Sequence, residues 1–555
     1  MTGASAFDPA LRERLDSWRA QDPDPATSVA LDDLIEKAEA GDAAARAELT
    51  DAFTGRLEFG TAGLRGALGP GPNRMNRVVV TRAAAGLANY LNDEGKAGGR
   101  VIIGYDARYN SDVFARDSAE IIAAAGFEVI ITAGPTPTPV VAFGIRHFDC
   151  VAGVVVTASH NPPNDNGYKV YLGDGSQIIP PADVEIAERI GWMSRLPLAD
   201  LRRSEDYTVI GEELINAYLD RLTTLVDADA PRRLNWVYTP MHGVGGDIVR
   251  QAWHRTGFPA PTVVAEQEHP DPAFPTVSFP NPEEPGALDR AVATATTAGA
   301  ELIIANDPDA DRCAVAIPGP DGWRTLSGDE LGAILGDDAL RRGLRGSYAC
   351  SIVSSSLLSA MAAAHGQRFV ATLTGFKWIG RVPSLAFGYE EAIGYCCDPA
   401  AVPDKDGISA LVRILSVAAG LKADGLTLAD RLDELALRYG VHQTRPLTFR
   451  VSDLSLITDA MTRLREQRPD RLAGEPVAFL DLAEGTKELP ATDGVRLCGD
   501  SIKVVVRPSG TEPKLKCYLE VRLPPAESQD LAAARARADR TLDQVGLDLT
   551  AVLGL

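Results

Sequence analysis

From Arg100 onward the chain alternates short apolar runs with stretches of helical spacing. VIIGYD is apolar, VFARDSAEIIAAAG repeats its apolar residues at helical intervals, EVIITAG is apolar again, TPVVAFGIRHF is helical, and VAGVVVTAS closes the set. That order predicts a βαβαβ unit. The alternation returns as NWVYTP, GGDIVRQAWHRTG, TVVAE, GALDRAVATATTAGA and ELIIAND, and again from YACSIVSS through LLSAMAAAHG and FVATL to LAFGYEEAIGY. Three α/β units therefore follow one another. Their apolar runs lack polar alternation, so helices must cover both faces of each sheet, which makes the sheets largely parallel or mixed. The internal repeat is one of architecture, not of residue identity.

The two ends differ from this pattern. Residues 1–57 carry Ala- and Leu-rich helical patterning broken by prolines around Asp22–Pro25, and predict a helical lead-in. After about Arg445 come the strands PLTFRV and SIKVVVR, the helix LSLITDAMTRLREQ and a final helix, SQDLAAARARADRTLDQV. This predicts a smaller α+β domain. The expected domains are 58–206, 207–321 and 322–443, each α/β, and 444–555.

The length of 555 residues fits several domains at about 150 each, and 45% hydrophobic with 24% charged residues is an ordinary globular composition. The net charge of −21 argues against nucleic acid or an anionic membrane surface as partner, but leaves open a small anionic substrate held by a few local Arg and Lys residues. Seven cysteines without a CxxC motif point to a reducing compartment. The polar N-terminus and the lack of a long apolar stretch point to a cytoplasmic protein.

Four short motifs carry candidate chemistry. Thr157-Ala158-Ser159-His160-Asn161-Pro162 follows the strand VAGVVV, where open α/β sheets place ligand crevices, so Ser159 can be presented to a substrate; Asn161-Pro162 would account for a plain turn unaided. Asp307-Pro308-Asp309-Ala310-Asp311-Arg312 follows ELIIAN, and three alternating carboxylates can converge on one hard divalent cation, with a solvated loop as the competing reading. An EF-hand is excluded, because its sixth position would be Arg312 and its twelfth Pro318. Gly388-Tyr389-Glu390-Glu391-Ala392-Ile393-Gly394-Tyr395, with Thr374-Gly375-Phe376-Lys377 upstream, offers carboxylates suited to sugar hydroxyls or a surface acidic pair. Arg507-Pro508-Ser509-Gly510-Thr511-Glu512-Pro513-Lys514 has the parts of a phosphate cradle, or of a simple turn. Walker A and GxSxG patterns are absent.

In this order the four motifs resemble the α-D-phosphohexomutase superfamily, the phosphoglucomutases and phosphomannomutases, from about Phe59 to the C-terminus. FGTAGLRG at 59–66 and GYEEAIGY resemble its phosphoglucomutase-2-like branch. The resemblance implies four domains around a cleft, Ser159 as the phosphoryl carrier, and Mg²⁺ held by Ser159, Asp307, Asp309 and Asp311. It implies that Arg507, Ser509, Gly510 and Thr511 hold the substrate's distal phosphate and that Glu390 and Glu391 serve the sugar. Arg65, Arg312, Lys169 and Lys377 then line the cleft, with Lys169, Lys377 and His160 as proton-transfer candidates.

The implied activity interconverts the 1-phosphate and 6-phosphate (or 5-phosphate) of a sugar through a phosphoserine enzyme and a bisphosphorylated intermediate, with a sugar bisphosphate as activator. Phosphoglucomutase is the leading assignment; phosphomannomutase and phosphopentomutase are alternatives, ahead of a sugar-phosphate phosphatase or a non-catalytic sensor. The expected partner is a small phosphosugar, and the expected assembly a monomer or dimer. Ala392 stands where hexose-selective members often carry Ser, which leaves one sugar contact open.

Overall fold

The computed structural model describes residues 7–451, 453–509 and 514–555. The chain divides into two compact units, Met1–Pro318 with Ala400–Arg413, and Gly319–Pro399 with Ile414–Leu555.

The first unit opens with α1 (Pro9–Arg19), α2 (Pro25–Glu39) and α3 (Ala43–Ala52). Asp24 and Asp42 cap the second and third helices by accepting from backbone N–H groups of their first turns. The three helices close on Leu15, Trp18, Leu31, Leu49 and Phe53. Next come β1 (Leu64–Ala67), α4 (Arg77–Asp93), β2 (Arg100–Tyr105), α5 (Ser111–Ala124), β3 (Glu128–Thr132), α6 (Thr138–His147), β4 (Ala152–Val156), β5 (Asp165–Leu172), α7 (Ala182–Met193) and β6 (Thr208–Ile210).

Their sheet has the order β1-β5-β4-β2-β3-β6. Val101 and Ile103 of β2 enter a core with Leu87 and Phe114, while Ile102 packs on the other face against Gly144 of α6. Each such side chain contributes about 1.5–3 kcal/mol by leaving water, and this two-sided burial is why the strand reads as an unbroken apolar run.

The second sheet of this stretch of chain is built from β7 (Trp236–Thr239), β8 (Thr262–Val263), β9 (Leu302–Ala305), β10 (Ala314–Gly319) and β11 (Gly322–Thr325), with α8 (Glu212–Thr223) before the first strand and α9 (Gly245–Thr256) and α10 (Asp289–Ala298) between strands. Its order is β11-β10-β9-β7-β8.

The second unit carries α11 (Gly328–Arg341), β12 (Ser347–Ser351), α12 (Leu357–Ala364), β13 (Arg368–Thr372), α13 (Phe376–Ile379), β14 (Leu385–Glu390) and β15 (Gly394–Cys396). These strands form a sheet of order β13-β12-β14-β15. Then follow α14 (Gly407–Ala423), at which the unit boundary falls, α15 (Leu428–Tyr439), β16 (Val441–Arg450), α16 (Leu454–Gln467), the ribbon β17 (Arg471–Leu472) and β18 (Glu475–Pro476), β19 (Ala478–Asp481), β20 (Val495–Cys498), β21 (Ile502–Pro508), β22 (Lys514–Leu523) and α17 (Leu531–Leu553). The last sheet, β16-β22-β21-β20-β19, is antiparallel throughout. Three mixed α/β sheets and a final α+β sheet are thus the architecture.

The sheets run a few residues across the expected boundaries. β6 pairs with β3 beyond Asp206, β11 extends the second sheet beyond Asp321, and β16 begins at Val441 rather than 444. Periodicity marks the body of a strand but not which neighbour it will pair with, so the short edge strands β6 and β11 are assigned to the wrong side and the first residues of β16 are cut off.

All four motifs occupy the same kind of place. β4–β5, β9–β10, β14–β15 and β21–β22 are antiparallel pairs of consecutive strands; the first three motifs lie at the reversals, and the described residues of the fourth stand at the end of β21 and the start of β22. Lys169 lies on a return strand, β5, opposite Val155.

The start of α14 packs against the 307–312 loop, and glycine is required there. A Cβ at Gly407 would stand 2.2 Å from the Arg312 carbonyl oxygen. The preceding Asp406 accepts from the N–H groups of Ile408 and Ser409 and from the Tyr218 hydroxyl at 2.8 Å, yet burial raises its pKa from 3.8 to about 6. The folded state therefore holds this proton more tightly than the unfolded chain, and the contribution to stability falls as pH rises through this window. Asp406→Asn keeps the accepting oxygen and removes the titration. The variant should gain on wild type between pH 4 and pH 7, by up to about 3 kcal/mol, read as the difference in thermal midpoint at pH 5 and pH 8. An equal difference at both pH values would contradict this.

Candidate active site

Ser159 lies in the β4–β5 reversal, 3% exposed, with φ at +51°. A non-glycine residue persists in that region only where its surroundings over-determine it. Its N–H donates to Thr157 Oγ1 at 2.8 Å, and its carbonyl accepts from Arg108 at 2.6 Å. The Oγ donates to Asp307 Oδ2 at 2.9 Å, and His160 Nδ1 is 3.4 Å away. Burial and the guanidinium groups of Arg312 and Arg65 hold His160 well below its usual pKa, so its imidazole is neutral.

The acidic loop is equally constrained. Ala310 has φ +55° and its N–H donates to the Asp307 carbonyl, while Val244 N–H donates to that of Pro308 at 2.8 Å. A Cβ at Gly243 would lie 2.4 Å from Pro308, so α9 can reach this loop only with glycine there. Asp307, Asp309 and Asp311 are all buried and offer ligand oxygens within 4.8 Å of one another.

Lys169 Nζ donates to Asp309 Oδ2 at 2.7 Å and to Asp311 Oδ2 at 2.8 Å. Thr138 Oγ1 donates to Asp309 Oδ2 at 2.6 Å, and Lys405 Nζ lies 3.4 Å from Asp311 Oδ2. Although burial works against a charge on Lys169, the two carboxylates raise its pKa, and it is an ammonium. The same burial would raise Asp309 and Asp311, but Lys169 brings both below the ordinary carboxylate value. Asp307 goes the other way, raised well above it by burial and by its two acidic neighbours.

That imbalance tests the loop for a cation. Asp309 Oδ1 and Asp311 Oδ1 are sealed from water and accept no hydrogen bond among the described residues. Arg312 Nε stands 3.8 Å from Asp311 Oδ1. A hard divalent ion takes carboxylate oxygens of this kind and would supply the missing positive charge beside Asp307. The donor set fits Mg²⁺.

Arg65 donates to Asn161 Oδ1 at 3.2 Å on the neighbouring loop. Burial lowers its pKa, with Asp309 supporting and Arg312 opposing its charge. The Arg312 N–H donates to Asp307 Oδ1 at 3.0 Å. The first unit thus brings together Ser159, His160, Lys169, Arg65, Arg312 and the three aspartates.

The remaining singled-out residues lie in the second unit. Glu390 ends β14 half-buried. Glu391 is committed to the serine loop, its Oε2 accepting from Ser351 and Ser354 at 2.9 and 3.0 Å, and burial raises its pKa. Lys503 on β21 donates to the Ser354 carbonyl at 2.6 Å and lies 3.1 Å from Glu520 Oε2. This ties the serine loop to the strand that carries Arg507. Arg507 donates to Thr374 Oγ1 at 2.6 Å, three residues before Lys377 on α13. Ser509 N–H donates to the Lys514 carbonyl at 2.8 Å. Gly510 and Thr511 lie outside the described residues.

Sequence reasoning missed Arg108, Thr138 and Lys405. Lys405 sits in Asp404-Lys405-Asp406-Gly407, whose charge alternation directly before a helix was a usable signal. Thr138 and Arg108 carried none, since Thr138 is the first residue of an ordinary helix, α6, and Arg108 stands in a loop of common turn residues.

The chain is similar to known proteins along most of its length. Models of the phosphoglucomutase/phosphomannomutase alpha/beta/alpha domains I, II and III match residues 56–193, 216–319 and 327–439, and that of the C-terminal domain matches 456–538. A Haemophilus influenzae protein named "Probable phosphomannomutase" is 48% identical over 81% of this chain and 93% of its own. The Homo sapiens "Phosphopentomutase" is 35% identical over 94% and 93%. A solved phosphomannomutase-type structure from Thermus thermophilus superposes with TM-score 0.69 at 26% identity, covering 88% of this chain and 99% of that one. With four domain models matched in chain order and relatives above 30% identity over most of its length, the chain belongs to the phosphoglucomutase/phosphomannomutase family and is an enzyme of the phosphomutase type.

Proposed function

We propose that the protein is a Mg²⁺-dependent phosphosugar mutase that stores a phosphoryl group on Ser159 and moves phosphate between O1 and the terminal oxygen of an aldose. The observation that carries this reading is the placement of Ser159 Oγ 2.9 Å from Asp307, on a loop whose two other carboxylates are held by Lys169. Asp307, Asp309, Asp311 and Ser159 would hold the ion. Bound there, it acts as a Lewis acid toward phosphoryl oxygens.

The chain's own residues do the rest. Asp307 orients the Ser159 hydroxyl by accepting its hydrogen bond, and Arg65 and Arg312 supply positive charge beside the nucleophile, where phosphoryl transfer needs electrostatic stabilisation. Lys169, as an ammonium, is a proton donor; neutral His160 is an acceptor. In the second unit Arg507 and Ser509, with Gly510 and Thr511, hold the distal phosphate, Glu390 accepts from sugar hydroxyls, and Lys377 adds local positive charge. A sugar bisphosphate primes Ser159. The enzyme works in the cytoplasm; among the described residues no helix is long and apolar enough to cross a membrane.

For the sugar, we take glucose phosphates as the leading substrate. Relatives named phosphopentomutase and phosphoribomutase, 33–36% identical as a group and aligned over about nine-tenths of the chain, favour a pentose phosphate as second reading. Turnover of glucose, mannose and ribose 1-phosphates, each with Mg²⁺ and a catalytic sugar bisphosphate, tests both. Conversion of glucose 1-phosphate to glucose 6-phosphate with the highest kcat/KM is expected. Preference for ribose 1-phosphate selects the second reading, and release of inorganic phosphate without isomerisation overturns both.

A further inference from the structure

Arg108 makes a set of contacts that no step above uses. It lies three residues beyond β2, 4% exposed, and points into the serine loop. One terminal nitrogen donates to the carbonyls of Ser159 and Asn161, each at 2.6 Å; the other donates to those of Pro162 and Asp165 at 2.8 and 3.2 Å. Its Nε stands 3.3 Å from Asp106 Oδ2, and its guanidinium carbon lies 5.0 Å from the centre of the Phe274 ring. Asp106 is itself fixed, accepting from the Arg108 N–H and from Ser111 Oγ at 2.7 Å.

From this geometry we infer that Arg108 is a positioning residue, which holds the loop from Ser159 to Asp165 in the shape that presents the nucleophile. Four carbonyls that converge on one point would repel one another, and that of Ser159 is buried. A planar fork of N–H donors collects them all, which a single ammonium cannot do with the same directions. Ser159 occupies a left-handed backbone conformation that a non-glycine residue keeps only where its surroundings hold it, and its carbonyl is one of the four. Arg108 meets Ser159 at this carbonyl. Its effect is exerted through the backbone, on where the Oγ points relative to Asp307.

The inference rests on Ser159 as phosphoryl carrier, and the test separates the two. Arg108→Lys, Arg108→Ala and Ser159→Ala are compared with wild type for kcat, KM, and the rate at which glucose 1,6-bisphosphate loads a phosphoryl group, followed by intact mass. Both Arg108 variants should lose about a hundredfold in kcat and in loading rate, the scale of a displacement near 1 Å. KM should change less than about threefold, and millimolar guanidinium should restore part of the activity of Arg108→Ala. Should Arg108→Ala fail to fold, Arg108→Lys, which keeps charge and length, carries the same comparison.

Wild-type kcat and loading in folded Arg108→Lys would overturn the positioning role. So would a loss confined to KM. A fully active Ser159→Ala, or phosphate mapped to another residue, would instead remove the carrier reading on which the inference stands.

Discussion

Ser159→Ala should lose mutase turnover by on the order of 10⁴-fold or more, because the hydroxyl that carries the phosphoryl group is removed and only binding and electrostatics remain. The fold should survive. The side chain removed is small, the loop's carbonyls still meet Arg108, and the backbone N–H still meets Thr157 Oγ1. Alanine is strained at φ +51° as serine is, so Ser159→Gly serves as the companion that relieves the strain and still lacks the hydroxyl. Intact-mass measurement of the active wild type should show one added phosphoryl group, mapping to Ser159, and none in either variant. Full activity in Ser159→Ala, or phosphate on another residue, would falsify the assignment.

Asp309→Asn is expected to cost about two to three decades in kcat and to weaken Mg²⁺ dependence, since several kcal/mol of charge stabilisation at the phosphoryl group are at stake. The reason is the division of labour on this carboxylate. Oδ2 accepts from Lys169 and Thr138 at 2.7 and 2.6 Å, and Oδ1 faces the side without donors. An amide can keep only one of these. With its oxygen toward Lys169, its NH₂ points where the cation would be; reversed, the NH₂ meets the Lys169 ammonium. Size is preserved, so thermal unfolding should move far less than activity. Unaltered metal titration in the variant, or full activity of chelator-stripped wild type, would sink the metal reading.

The four chemical motifs were legible because each follows a strong apolar strand and packs its reactive residue types into a few consecutive positions. Thr157–Pro162 and Asp307–Arg312 could each be read without knowing the other, and the parallel strands before them are buried on both faces, which leaves an unambiguous apolar run. The return strands were not legible. β5, as DNGYKVYL, mixes polar and apolar residues because it carries Lys169 into the site on one face while Tyr168 and Val170 enter the core on the other.

The chain's local pattern thus determined the three α/β units, the helical lead-in, the α+β end and the loops on which reactive residues stand, since strand burial and helical periodicity are properties of a dozen neighbouring residues. The meeting of those loops belongs to the tertiary structure. Ser159 and Asp307 are 148 residues apart, Lys169 and Asp309 140, and Arg108 and Ser159 51. Whether Lys169 is a base or an ammonium, whether Glu391 is turned toward serines, and which carbonyls Arg108 gathers depend on distances of a few ångströms between such remote segments. Those distances are set by how sheets and helices pack, because in a buried site charge and hydrogen bonding act only over the space that packing leaves.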